Sequence, residues 1–139
     1  MTGEEKIVKI IESISAQLLN LKMERLSSLK GLELSASYFQ YVSVIHRLRQ
    51  TTVTDLAEKL KISKPAVTVF IDKLLKQKVV VKTQSEDDRR FFYIKLSKKG
   101  EQIAEVYNDT MLSFAKNVKD AMSEGEFRQL ITLLEKCSV

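Results

Sequence analysis

The chain has 139 residues, 44% of them hydrophobic, a net charge of +5, one cysteine and one histidine. That length gives room for one cooperative core and too little for two domains of about 100–150 residues each. An intramolecular disulfide and the common Cys/His zinc clusters are excluded, and no run approaches the roughly 20 apolar residues of a membrane span.

No Gly-rich phosphate loop, Gly-x-Ser-x-Gly elbow or His-Glu-x-x-His pattern occurs. The expectation is therefore no enzyme: no catalytic residues, no cofactor and no metal. The opening Met1-Thr2-Gly3-Glu4-Glu5-Lys6 lacks the basic flank and apolar block of a secretory signal, so a cytoplasmic protein is expected. Charge is placed unevenly. Residues 51–100 hold 12 Lys/Arg against 6 Asp/Glu, while residues 101–139 hold 4 against 7. Such an asymmetry suits a module that docks on phosphate backbone and is carried by elements that do not.

From about Glu4 to Leu29, Ile7, Ile10, Ile11, Ile14, Leu18 and Leu21 recur at helical spacing. This amphipathic helix is longer than a core of this size needs, which points part of its stripe at another subunit. Lys30-Gly31-Leu32-Glu33 breaks it, and Ser35 is placed to cap a second helix reaching about Arg49. Tyr38, Tyr41, Val42, Ile45 and Leu48 form the apolar face of that helix, with His46 beside it.

Thr52 to Asp55 has the form of a capping box. Val53, Leu56, Ala57 and Leu60 give the third helix its buried face, Lys61 and Ile62 carry the turn, and Ser63 caps a fourth. Pro65 falls in the first turn, where its missing N–H costs no helical bond. Val67, Phe70, Ile71 and Leu74 face inward along this helix. Lys64, Thr68, Val69, Asp72, Lys73 and Lys76 face outward, with Asp72 expected to pair with a neighbouring base such as Lys76, or to cap local structure, rather than to contact DNA.

Lysines and a hydroxyl can reach phosphates or base edges, and Ala66 and Val69 can touch a thymine methyl. Val79–Thr83 and Phe91–Leu96 read as two strands. The connection from Gln84 to Arg90 is too polar to be buried, and an arginine at its tip can enter a minor groove. Ser97 starts a fifth helix bearing Ile103, Val106, Tyr107, Met111, Phe114, Ala115 and Val118. Ser123 and Glu126 cap a sixth with Phe127, Leu130, Ile131, Leu134 and Cys137. The predicted fold is mainly α with a small β wing: a winged helix-turn-helix of about six helices and a two-to-three-stranded antiparallel sheet. The surplus apolar surface on the terminal helices calls for a homodimer.

Four stretches in this order resemble the MarR family of transcription regulators. They are Thr52-Val53-Thr54-Asp55-Leu56-Ala57, Ser63-Lys64-Pro65-Ala66-Val67-Thr68, Asp88-Arg89-Arg90 and Leu96-Ser97-Lys98-Lys99-Gly100. Met122-Ser123-Glu124-Gly125-Glu126-Phe127-Arg128-Gln129-Leu130 is similar to the family's last helix. The resemblance implies one domain over residues 1–139, with 1–34 and 101–139 forming an intertwined dimerisation region and 35–100 the winged DNA-binding lobe.

It also implies a regulator, a repressor, that binds a pseudo-palindromic operator in double-stranded DNA as a homodimer and is released by a small aromatic or anionic effector. Residue by residue, the family pattern carries over to Ser63, Lys64, Pro65, Thr68, Lys73 and Arg90 as DNA contacts, with Asp88 supporting the wing; the outward helix face and the tip add Ala66, Val69, Lys76 and Arg89 to the expected contacts. A candidate ligand cleft lies between the second helix and the dimer helices, near Tyr38, Tyr41 and His46. Lys78 stands where relatives carry a glycine after the recognition helix, so the usual left-handed cap is expected to be missing there. Val69 replaces a basic residue and Tyr38 a glutamine. The alternative left open by the residues is a winged-helix module that docks protein or RNA.

Overall fold

Hydroxyl side chains set the helix starts, as expected from their positions before each apolar stripe. The computed structural model describes residues 1–27 and 36–138; the expected break at 30–33 and the Ser35 cap lie outside them. In chain order the elements are α1 (Gly3–Leu26), α2 (Ala36–Leu48), α3 (Val53–Leu60), α4 (Lys64–Lys76), β1 (Val80–Gln84), β2 (Phe92–Leu96), α5 (Lys98–Asp120) and α6 (Glu124–Glu135). Thr2, Thr52, Ser63, Ser97 and Ser123 each accept a backbone N–H from the first turn of the helix they precede.

Glu5 and Glu126 complete capping boxes by bonding back to the cap residue's own N–H. At α3 only half of the expected box forms. Thr52 accepts from the Asp55 N–H at 3.1 Å, but the Asp55 carboxylate does not return the bond; aspartate is one methylene shorter than the glutamate or glutamine this motif uses.

Helix α2 is the centre of the core. Phe39, Val42 and Ile45 are buried on it, and Leu56 of α3, Val67, Ile71 and Leu74 of α4, Ile94 and Leu96 of the hairpin and Ile103 of α5 close around them. Burying each such side chain is worth about 1.5–3 kcal/mol. The Tyr41 ring stacks on Phe70 at 3.8 Å between centroids, tying α2 to α4. Strands β1 and β2 are antiparallel, Val80 opposite Leu96 and Gln84 opposite Phe92. Thr51 adds a third, one-residue strand position, exchanging two backbone bonds with Ile94 at 2.9 and 2.7 Å.

The expectation that α4 would lack a left-handed cap is wrong. Lys78 itself takes that conformation, with φ of 60°. Its N–H donates to the Leu75 carbonyl and the Val79 N–H to the Leu74 carbonyl, which is the paired bonding of a Schellman turn. Val79 and Leu74, both fully buried, supply the apolar contact that holds it, so tertiary packing overrides the side chain's dislike of positive φ. Lys78→Gly should therefore raise stability by about 1 kcal/mol in denaturant unfolding; an unchanged or lower midpoint would contradict this reading of the turn.

Helix α5 packs on both α1 and α2, and its start is pressed against the wing. Gly100 is buried there, and a Cβ on it would lie 2.2 Å from the Val79 carbonyl oxygen. Much of the apolar surface on the terminal helices stays uncovered in the single chain. Ile7, Ile10 and Ile11 of α1, Leu112 of α5 and Leu133 and Leu134 of α6 are all exposed. No helix among the described residues is long and apolar enough to cross a membrane.

Candidate nucleic-acid interface

Capped by Ser63 and carrying Pro65 in its first turn, α4 buries Val67, Ile71 and Leu74 and thereby turns a continuous opposite face to solvent. Ser63, Lys64, Pro65, Ala66, Thr68, Val69, Asp72, Lys73 and Lys76 are all exposed on it, as the periodicity predicts. The Ser63 oxygen accepts from the Ala66 N–H at 3.3 Å, leaving its O–H to donate outward. Thr68 donates its hydroxyl to the Lys64 carbonyl at 3.0 Å and so presents acceptor lone pairs.

Asp72 does not pair with Lys76, contrary to expectation; the ion pairs among the described residues lie elsewhere. On a solvated helix face an i, i+4 pair gains only a few tenths of a kcal/mol, too little to hold two mobile side chains together. The turn before α4 is tight because Lys61 adopts a left-handed conformation, φ 55°, with its N–H bonded back into α3.

The wing tip is more ordered than its composition suggests. Ser85 is buried, which corrects the expectation of a wholly solvated tip. Its N–H donates to the Phe91 carbonyl at 2.9 Å, and its hydroxyl oxygen accepts from the Asp88 N–H at 3.3 Å. The Phe91 N–H donates to the Asp88 carbonyl at 3.0 Å, so Arg89 and Arg90 occupy the two corners of a turn.

Asp88 grips Arg90 in a fork: Nη2 lies 2.8 Å from Oδ2 and Nε 3.1 Å from Oδ1, with the Arg90 N–H 3.0 Å from Oδ1. The Arg90 side chain remains 85% exposed, aimed by its partner rather than hidden by it. The Arg90 side-chain and backbone bonds hold the Asp88 carboxyl below its ordinary pKa. A depressed folded-state value means the fork is intact above the usual carboxylate range and is lost as pH falls through the lowered pKa. Arg89 is exposed too, its carbonyl accepting from Gln84 Nε2 at 2.8 Å.

Tyr38 and Tyr41 are buried in the core, packed on Phe70, and burial pushes both hydroxyls' pKa up. His46 is tied to α5 through Nδ1, 2.8 Å from Glu101 Oε2. A cavity of about 460 Å³ does lie between α2 and the long helices, but on the other side of α2, lined by Ser15, Leu18, Lys22, Phe39, Ser43, Arg47 and neighbours.

Lys22 Nζ sits 4.4 Å from the Tyr107 ring centroid and 5.1 Å from that of Phe39, and burial lowers its pKa. The sequence contained a signal for it that the periodicity reading passed over. Leu19, Lys22 and Leu26 follow helical spacing, so a lysine occupies an inward position.

The MarR family model matches residues 34–91. These residues form a MarR-family segment. It spans the second helix, the helix-turn-helix and the wing tip, and the similarity extends beyond it. The HTH-type transcriptional regulator YpoP of Bacillus subtilis is 25% identical over 104 residues, 75% of this chain and 74% of that one. BilQ, an HTH-type transcriptional regulator of Clostridioides difficile, is 23% identical over 112 residues, 81% and 76% of the two chains.

FabT of Streptococcus pneumoniae, whose structure was solved in complex with DNA, superposes with a TM-score of 0.81 at 22% identity, covering 96% of this chain and 94% of FabT. The helices flanking the MarR-family segment thus share the fold of that chain as well.

Proposed function

We propose that the protein is a sequence-specific, DNA-binding transcriptional regulator, a repressor acting in the cytoplasm as a homodimer on a pseudo-palindromic operator. The observation that carries this is the pairing of two surfaces on one lobe. The outward face of α4 presents Lys64, Lys73 and Lys76, and the wing holds the exposed Arg90 in the Asp88 fork. Lysines on α4 neutralise phosphates, Thr68, Ala66 and Val69 meet base edges in the major groove, and Arg90 enters the flanking minor groove.

Residues 1–34 and 101–139 form the dimerisation region and 35–100 the reading lobe. The uncovered Ile7, Ile10, Ile11, Leu112, Leu133 and Leu134 support a second copy as the cover for the terminal helices. Two lobes then meet successive major grooves about 34 Å apart. Titrating labelled duplex at several salt concentrations should give affinity that falls linearly in log–log form, with a slope set by the phosphates neutralised. Preference for RNA of the same sequence, or affinity independent of salt, would contradict the proposal.

The cavity beside α2 supports release by a small anionic aromatic effector. Lys22 and Arg47 line it with no carboxylate among the described lining residues, and it touches both the reading lobe and α1, so its occupant can change how the two sit together. Benzoate, as probe, should bind wild type and lose about tenfold or more in affinity in Lys22→Met. Equal binding by both proteins in calorimetry would remove the cavity from the account.

A further inference from the structure

Phe91 stands immediately after Arg90 and is 55% exposed on a tip whose other exposed residues, Glu86, Asp87, Arg89 and Arg90, are all charged. Its backbone is fixed on both sides, the N–H on the Asp88 carbonyl and the carbonyl on the N–H of buried Ser85. The ring is therefore carried on backbone held at the closing position of the turn, next to the corner that bears Arg90. Its neighbour Phe92 is also exposed, but the Lys82 ammonium sits 4.6 Å from that ring's centroid. Phe91 has no such ring or cation contact among the described residues.

We infer that Phe91 is a DNA-contacting residue whose ring lies against the deoxyribose wall of the minor groove that Arg90 enters. This rests on the proposed DNA binding. Duplex DNA is the occupant that suits both halves of the tip. The arginines at the turn corners answer the negative potential of the groove, and sugar C–H surface, or a partly opened base step, gives an aromatic ring the apolar contact it lacks. Removing the ring takes away apolar burial but no phosphate contact, so its loss and that of Arg90 should read out differently.

The chain contains no tryptophan, so Phe91→Trp makes a single fluorophore at the tip. On adding duplex its emission should shift to the blue and become protected from acrylamide, with no change when protein concentration is raised alone. Phe91→Ala should weaken duplex binding about tenfold while leaving the salt slope as in wild type. Matching thermal midpoints check that both variants fold.

An unchanged Trp emission while anisotropy reports bound duplex overturns the inference and leaves the DNA-binding proposal standing. Protection that follows protein concentration without DNA also overturns it, assigning the ring to a protein contact. A wild type that binds no duplex overturns both.

Discussion

Arg90→Ala is expected to weaken duplex binding by one to two orders of magnitude, on the scale of a lost buried charge contact, and to reduce the slope of log affinity against log salt by about one. The charge it removes is exposed in the free protein and, among the described residues, bonded only to Asp88, so the loss should leave folding stability close to wild type. Asp88→Ala separates aim from charge. It keeps the cation but dissolves the fork and the bond to the Arg90 backbone, so affinity should fall by a smaller factor with the salt slope retained.

Arg90→Lys should resemble the alanine variant in affinity more than in slope, since an ammonium keeps charge without the planar two-point grip. Lys73→Ala, on the α4 face, should weaken all duplex sequences about equally. Unchanged affinity in both Arg90→Ala and Lys73→Ala, measured at one salt concentration, would contradict the assignment of these two surfaces.

Gly100→Ala is expected to cost about 3 kcal/mol and to lower the melting midpoint by about 10 °C. The new Cβ would be 2.2 Å from the Val79 carbonyl oxygen and 3.0 Å from the Leu96 Cβ. Neither neighbour can yield cheaply. The Val79 carbonyl already accepts the Ser97 N–H at 2.9 Å and the Ser97 hydroxyl at 3.0 Å, so moving it breaks the joint between the α4 turn and the start of α5. DNA affinity should fall along with stability, because that joint sets how the wing leaves α4. A midpoint within about 1 °C of wild type would contradict this packing account.

The order and faces of the elements were readable because apolar spacing reports burial directly. Val67, Ile71 and Leu74 of α4 are inside and Lys64, Thr68 and Lys73 outside, and Asp88 meets Arg90, as the residues suggested. What could not be read depends on groups distant in sequence. The left-handed turn at Lys78 is imposed by the buried Leu74 and Val79, against the residue's own preference.

Ser85 is buried because the Phe91 carbonyl and the Asp88 N–H close the tip over it, although its neighbours are charged. The Tyr38 and Tyr41 rings named for the ligand cleft pack against Phe70, Tyr41 stacked and Tyr38 tilted, while a cavity opens where Lys22 of α1 meets Phe39 and Tyr107. A tyrosine stripe and a cavity lining have the same pattern in one helix; which it is depends on what the partner helix brings.

The most direct test of the central claim is selection of the duplexes this protein retains from a pool of random double-stranded DNA. The account predicts enrichment of a two-fold symmetric consensus whose half-sites lie about one helical turn apart, near 10 base pairs, matching two recognition helices about 34 Å apart. Enrichment of a single asymmetric half-site, or no enrichment at low ionic strength, would contradict it.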